Sequence, residues 1–387
     1  MGGQREEHRT YSPVGSVAPV RVTSMSDTVL HLTGRVLRGP DDEVAEAWVI
    51  DGRITFETPE KAATADAARL EGTFLPGLVD AHCHVGLEAH GGAPENAEAH
   101  ALADRAAGAL LLRDCGSPVD THWIENREDL PRIVRAGRHI ARTKRYIKNF
   151  AHEIEPEDLV AYVRQEARRG DGWVKLVGDW IDRDAGDLAP CWPKEALKPA
   201  IDAAHEEGAR VTAHCFGEQS LVDFAEAGID CIEHASGLTE ETIAMFAERD
   251  IAIVPTLINL DNFPSFAQAG EKKFPGYAAH MRDLHARRYE TIGAARDAGL
   301  RIFAGTDAGG QLPHGLVARE VEEMLNVGMS ATEAIATATW GAREWLGHEA
   351  LVEGAPADLV QYESDPRDDV RVLAAPTHVI LRGRVVE

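Results

Sequence analysis

The order of apolar and polar positions divides the chain into two textures. From Thr28 onward it shows short β-like runs, Val29–Leu32 and then Ala47–Ile50, with Asp51-Gly52 as a hairpin-type turn. The same texture returns at the far end in Asp358–Tyr362 and His378–Leu381, after which Arg382-Gly383-Arg384 turns into Val385-Val386. Strand-rich ends around a long middle predict one small β domain built from both termini, or else two unrelated terminal hairpins. The middle carries eight apolar runs: Phe74–Asp80, Ala109–Arg113, Ile140–Ile147, Trp173–Val177, Ala209–Ala213, Ile229–Ile232, Ile251–Pro255 and Arg301–Ala304. Helix-like segments lie between them, such as Pro156–Arg169, Pro193–Glu207, Glu218–Ala227 and Glu240–Glu248. Thr239 followed by Thr242, with acidic residues in the first turn, reads as a helix start. Eight strand–helix repeats over a stretch of this size predict an α/β chain folded as a (β/α)8 TIM barrel. A doubly wound open sheet is the rival, but it would carry a glycine-rich phosphate loop after its first strand, and none is present. The expected layout is a flexible leader at 1–26, a small composite β-sandwich domain from 27–73 and 352–387, and a barrel at 74–351.

Composition narrows the partners without naming a function. Of 387 residues, 44% are hydrophobic and 27% charged, the mix of a soluble globular protein. With 64 acidic against 40 basic side chains the net charge is −24, which argues against nucleic acid and against docking on an anionic membrane. No run approaches the length of a membrane span. Five scattered cysteines, Cys83, Cys115, Cys191, Cys215 and Cys231, form no CxxC pair and read as reduced thiols rather than a disulfide framework. Residues 1–26 lack the apolar stretch of a secretory signal, and Met25 is an alternative start. The expectation is a cytoplasmic protein acting on a small molecule; a homo-oligomer is compatible with everything in the sequence.

The chemistry-bearing residues sit at the ends of the apolar runs. In Leu78-Val79-Asp80-Ala81-His82-Cys83-His84, alternation along a strand puts His82 and His84 on one face with Asp80 one pleat below, while Cys83 points into the packing. Two imidazoles so placed can hold one divalent metal. Later runs add Lys175 inside Val174-Lys175-Leu176, His214 after Val211-Thr212-Ala213, His234 after Cys231-Ile232-Glu233, and Asp307 after Gly305-Thr306. In a parallel barrel such positions converge on the C-terminal mouth, where active sites lie. Four histidines, a lysine and an aspartate meeting there point to a site rather than to separate core polar groups.

These motifs, together with Leu75-Pro76-Gly77, Ala304–Gly309, Pro313-His314-Gly315 and Gly354–Val360, resemble the metal-dependent amidohydrolase superfamily, in its imidazolonepropionase-like and Xaa-Pro-dipeptidase-like branch. The resemblance covers nearly everything after Thr28. It implies a binuclear centre, usually zinc, in which His82, His84 and Asp307 bind the more buried ion and His214 with His234 the more exposed one. Lys175 would bridge both as a carbamate; manganese, cobalt or iron suits the same donors. A surface or salt-bridged Lys175 is the alternative, and would leave one metal only. The implied reaction is hydrolysis of a C–N bond in an amide, peptide-like or cyclic amide substrate by a metal-activated hydroxide, with Asp307 as general base. The other readings are a mononuclear imidazolone-type ring hydrolase or deaminase, an esterase or lactonase, and a non-catalytic scaffold. Asp80 either supports a ligand histidine or is a hydrogen-bonded core carboxylate.

Substrate contacts are expected from the loops. His314, in the loop after Asp307, is the first candidate, and His152, after Arg145–Ala151, is the second. Phe216 stands where dipeptidase-like relatives often carry a tyrosine, which would remove a phenolic contact. Asp179 reads either as a contact to a cationic group or as a loop cap. His90, His100, His122, His139, His205, His280, His285, His348 and His378 share no such placement and read mostly as surface or packing residues.

Overall fold

Both ends of the chain meet in one sheet. Seven strands lie in the order Arg384–Val386, His378–Leu381, Leu359–Tyr362, Ala68–Pro76, Leu30–Leu37, Glu43–Ile50 and Arg53–Thr55. All pairs are antiparallel except Leu30–Leu37 with Ala68–Pro76. The turns Asp51-Gly52 and Arg382-Gly383 have positive φ at both central residues (49° and 76°, 50° and 78°), the geometry whose twist matches flanking strands. Leu32, Val36, Val49, Ile54, Phe74, Leu359 and Ile380 form the sheet's buried core. Leu359–Tyr362 pairs directly with Ala68–Pro76, so the two termini are not separate hairpins.

The structure, a computed structural model, describes residues 29–60 and 66–386, and the leader expected at 1–26 lies outside them. Its middle is a mixed α/β arrangement with curled, mainly parallel sheets. One runs His152–Ile154, Ile140–Arg142, Trp173–Val177, Arg210–Cys215, Cys231–His234, Ala252–Val254; the other runs Ala308–Gly310, Leu78–Glu88, Ala109–Asp114, Arg132–Arg135. The segment around Arg301–Ala304 lies between them: Ile253 N–H donates to Arg301 O (2.9 Å) and Ala81 N–H to Ala304 O (2.9 Å). Alternation sorts the strand residues into two clusters. Val79, Ala81, Trp173, Cys231, Ala252, Val254 and Phe303 pack with one another, whereas Val174, Leu176, Val211, Ala213, Ile232 and Ile253 pack with helix residues.

Two expected runs are corrected. Phe74–Asp80 is not one strand: it divides at Gly77 between the terminal sheet and the first parallel strand. A Cβ at Gly77 would come within 2.6 Å of the Leu110 side chain, so only glycine lets the chain pass there. The strand paired with Ala109–Asp114 is Arg132–Arg135, ahead of the expected Ile140–Ile147. Its Ile133-Val134 pair, flanked by arginines, is too short an apolar run to stand out. The helices fall close to expectation, at Leu159–Arg169, Lys194–Glu206, Leu221–Ala227 and Glu240–Arg249, the last opened by a Thr239/Thr242 capping box. All five cysteines are free and buried. Among the described residues no helix is long and apolar enough to cross a membrane.

Candidate metal centre

The first parallel strand, Leu78–Glu88, is buried along all but its last residue and carries both His82 and His84. Its pairing with Ala109–Asp114 is irregular between Asp80 and Cys83, and the alternation turns over there. Val79 and Ala81 belong to one packing cluster while Cys83 and Val85 belong to the other. Asp80 and His82 therefore do not share a face, contrary to simple alternation. Asp80 accepts from the backbone N–H of His82 (3.1 Å) and of Thr306 (3.0 Å) and from the Thr306 hydroxyl (2.5 Å). It thus joins the first strand to the turn that carries Asp307, in the role of a buried structural carboxylate. Burial and the Asp104 charge push its pKa up to about 7.

Asp307 and both histidines converge. Asp307 Oδ1 lies 3.2 Å from His82 Nε2 and 3.0 Å from His84 Nε2, and the two imidazole nitrogens are 3.2 Å apart. Burial raises the Asp307 carboxyl, but the His82 and His84 rings outweigh it and hold it well below the usual carboxylate range. Gly305 makes this approach possible, since a Cβ there would sit 2.6 Å from the His82 Cβ. Beside them, the His82 and His234 ring centroids are 5.2 Å apart, and those of His234 and His214 4.7 Å. Burial first, then the charges of His234 and Lys175, hold His214 well below its ordinary value, and burial takes His234 to about 3. Both are neutral imidazoles, the form that can ligate.

The opposite ring nitrogens are mostly fixed. His84 Nδ1 is 2.7 Å from Gly116 O, His234 Nδ1 2.7 Å from Thr256 Oγ1, and His82 Nδ1 2.8 Å from Glu233 Oε2. The Gly116 carbonyl can only accept, so it sets the His84 tautomer and leaves Nε2 free for a ligand role; Thr256 and Glu233 orient the other two rings. His234, Ala235, Thr256 and Asp307 all have positive φ (68°, 52°, 48° and 58°), so four non-glycine left-handed residues cluster at the strand ends of this site.

His82, His84 and Asp307 each offer one ligand atom, all within 4.8 Å of one another, so the donor set fits a divalent ion. A second trio, His82, Cys115 and Glu233, is equally compact but does not suit a cation. Arg113 Nη1 already sits 2.8 Å from Glu233 Oε1 and 3.2 Å from Cys115 Sγ. Burial raises the Glu233 carboxyl, yet Arg113 and His82 more than offset this and leave it well below its ordinary range. Lys175, on Trp173–Val177, is 1% exposed, and its Nζ has no hydrogen-bond partner; neither does His214 Nε2. A buried amine left unpaired is costly, and addition of carbon dioxide converts it to a two-oxygen anionic ligand.

The two loop histidines are held by carboxylates of neighbouring helices, and His314 also adjoins the His84 backbone. His152 Nε2 is 2.9 Å from Glu166 Oε1 on the helix Leu159–Arg169. His314 Nδ1 is 2.7 Å from Asp104 Oδ2 on the helix Ala97–Ala106, and its ring stacks on His100 at 4.3 Å. Asp179 caps a loop by accepting from Phe216 N–H (3.0 Å) and Gly217 N–H (2.7 Å). Three residues at the centre escaped the sequence reading. His139 is fully buried, with neither ring nitrogen hydrogen-bonded, and packs 5.0 Å from His84. Asn259 Nδ2 donates to Asp307 Oδ2 at 2.7 Å. Glu233 is the carboxylate facing the His82 ring. Placing the third strand at Arg132–Arg135 would have found His139, which follows that strand's end.

Above the centre, the hairpin of Asp179–Asp182 and Asp187–Pro190 is held by Arg145, which donates to Asp182 (2.6 Å), Trp180 O (2.9 Å) and Ala189 O (2.8 Å). His280, on the helix Pro275–Asp297, ties it down through Asp187 (3.0 Å) and also meets Glu218 (3.0 Å). The Glu218 bond, opposed by burial and aided by Asp187, raises His280 from 6.5 to about 9. A raised histidine contributes stability that is full below about 6.5 and is lost as pH rises through about 9. His280→Gln should therefore lower the thermal midpoint at mildly acidic pH and lose that effect at alkaline pH. A midpoint difference constant across this range would overturn the assignment.

An uncharacterized protein of Mycobacterium tuberculosis is 56% identical over 357 residues, 92% of this chain and 95% of that one. Ochratoxinase from Aspergillus niger is 30% identical over 243 residues, covering 59% of this chain and 49% of the fungal protein. Its crystal structure superimposes with a TM-score of 0.77 at 20% identity, over 93% of this chain and 96% of that one. A Xaa-Pro dipeptidase crystallised with methionine in its active site gives 0.78 at 23% identity, over 94% of this chain and 100% of that one. Residues 73–386, which hold the parallel sheets and the whole histidine–aspartate cluster, match the Amidohydrolase family, and the chain is a member of that family, a hydrolase of carbon–nitrogen bonds.

Proposed function

We propose that the protein is a metal-dependent hydrolase cleaving the C–N bond of an amide, peptide-like or cyclic amide substrate at the mouth of a (β/α)8 barrel spanning 74–351. The seven-stranded sheet built from both ends of the chain, one sheet rather than the expected sandwich of two, forms its composite β domain. The observation that carries this reading is the convergence of His82, His84 and Asp307 beside two neutral histidines and a buried amine without a partner. His82, His84 and Asp307 would hold one ion and His214 and His234 a second, and Lys175, converted to a carbamate, would supply an anionic oxygen ligand to them. Zinc suits nitrogen and carboxylate donors, and manganese, cobalt and iron suit them too. Divalent ions held there supply Lewis acidity, which acidifies water and polarises a carbonyl.

The chain's own groups do the rest. Asp307, its Oδ2 oriented by Asn259, takes the proton of the attacking water and returns it to the leaving nitrogen, so that amide and water give acid and amine. The Gly116 carbonyl keeps His84 in the ligating tautomer, and Thr256 orients His234. Of the loop histidines, His152 is engaged by Glu166, while His314 is held at Nδ1 by Asp104 and keeps an unpartnered Nε2; His139, with both ring nitrogens unpartnered beside His84, joins His314 as a candidate for a substrate contact. A mononuclear ring hydrolase or deaminase is the second reading, because His82, His84 and Asp307 form one compact set by themselves.

Metal analysis and an activity panel test this directly. The zinc- or manganese-loaded protein should hydrolyse members of a panel of N-acyl amino acids, dipeptides and cyclic amides. Chelation should remove the activity and metal should restore it. No bound transition metal, with no response to chelation or add-back, would sink the reading; one ion per chain rather than two would favour the mononuclear form.

A further inference from the structure

The rings around His214 form a continuous series. Phe216 lies 4.2 Å from His214 and 4.8 Å from His234, centroid to centroid, and is backed by Phe263 at 4.7 Å. Trp180, on the hairpin, lies 5.4 Å from His214 and 4.9 Å from Tyr146. Tyr146 lies 5.8 Å from His214 and 5.4 Å from His139. Three separate segments of chain thus deliver aromatic side chains to one side of the centre.

Their exposure and polarity fit a binding wall better than a core. Phe216 and His139 are buried, but Tyr146 and Trp180 are only half-buried, so they border the approach from solvent. Among the described residues, neither the Tyr146 hydroxyl nor the Trp180 indole N–H has a hydrogen-bond partner. Two nearby guanidiniums are directed elsewhere: Arg145 has both terminal nitrogens on the hairpin, and Arg138 donates to the backbone oxygens of Phe150 and Asn149. This side of the site offers π faces and two polar tips. Tyr146 meets Trp180 edge-on, at 68°, and a further aromatic ring pairs favourably with such groups at the same spacing.

We infer that Tyr146, Trp180 and Phe216 form a subsite for a flat aromatic group next to the scissile bond, making aryl-bearing amides the preferred substrates. This rests on the proposed amide hydrolysis at the same centre. The ring adds its contacts in the bound state beyond what the metals and Asp307 provide, so preference should appear in affinity whether or not turnover is observed.

The test is therefore an equilibrium one. Benzylphosphonate, cyclohexylmethylphosphonate and methylphosphonate are titrated calorimetrically into the metal-loaded protein. Benzylphosphonate should bind about tenfold or more tighter than methylphosphonate, and tighter than the cyclohexylmethyl compound. Trp180→Leu and Tyr146→Leu should each shrink the benzyl-to-methyl ratio while keeping the native metal content. Equal affinity for benzyl and methyl, or for benzyl and cyclohexylmethyl, would overturn the subsite, as would a ratio unchanged in both variants. A ring preference without hydrolysis of any amide would instead overturn the proposed reaction and leave the subsite standing.

Discussion

Asp307→Asn is expected to reduce kcat by about 10³-fold or more, with the fold intact. The substitution keeps volume and shape, and it respects the backbone: Asp307 has φ 58°, a left-handed conformation that asparagine adopts more readily than most residues. Asn259 can still donate to the amide oxygen, as it now does to Oδ2 over 2.7 Å. What is lost is the negative charge that His82 and His84 hold ionised and the oxygen able to accept a proton from water. A loss of about 10³-fold corresponds to about 4 kcal/mol of transition-state stabilisation, a reasonable share for one proton-transfer group that also ligates. The thermal midpoint should stay within a few degrees, because surface contacts and core packing are untouched. Steady-state kinetics with parallel metal analysis decides the matter. A rate within tenfold of the native protein, at native metal content, would overturn Asp307 as the base.

Reading the sequence succeeded where a short motif and a regular period coincide. The HxH at 82–84, the strand-end histidines 214 and 234, Lys175 and Asp307 were all legible, because parallel strands place their last residues at one mouth and apolar runs mark those strands. The helices around 194–206 and 240–249 were equally plain, from cap and periodicity. The failures have local causes. Alternation put Asp80 beneath His82, but an irregularity in pairing near Ala81 reverses the faces, and no residue type announces a bulge there. The third strand is displaced because Arg132–Arg135 has only two apolar residues, and with it the place of the packed His139 beside His84 is lost from view. Motif position places His314 and His152 in their loops but does not give their contacts. Their actual partners, Asp104 and Glu166, come from helices whose approach depends on tertiary packing rather than spacing. Glu233 and Asn259 were invisible for the same reason: each matters through one contact with a residue distant in sequence.

Lys175 separates the binuclear reading from the mononuclear one. Lys175→Ala is expected to lower the metal content from two ions per chain to one or fewer, with turnover falling in step. The side chain is 1% exposed and its amine has no partner, so in the metal-free protein it pairs with nothing that its loss would break. Removing an uncompensated buried polar group relieves a desolvation cost. Lys175→Met, which keeps the volume better, should therefore leave the metal-free protein at least as stable as the native chain in a denaturant titration. A lysine serving only as a packed core residue predicts the reverse for both readouts: lower stability and unchanged metal. Carbamate formation also needs carbon dioxide, so uptake of the second ion by the native protein should depend on bicarbonate, and uptake by either variant should not. Two ions per chain in Lys175→Ala, or native uptake indifferent to bicarbonate, would remove the bridge and leave the compact His82, His84 and Asp307 set as a single-metal site.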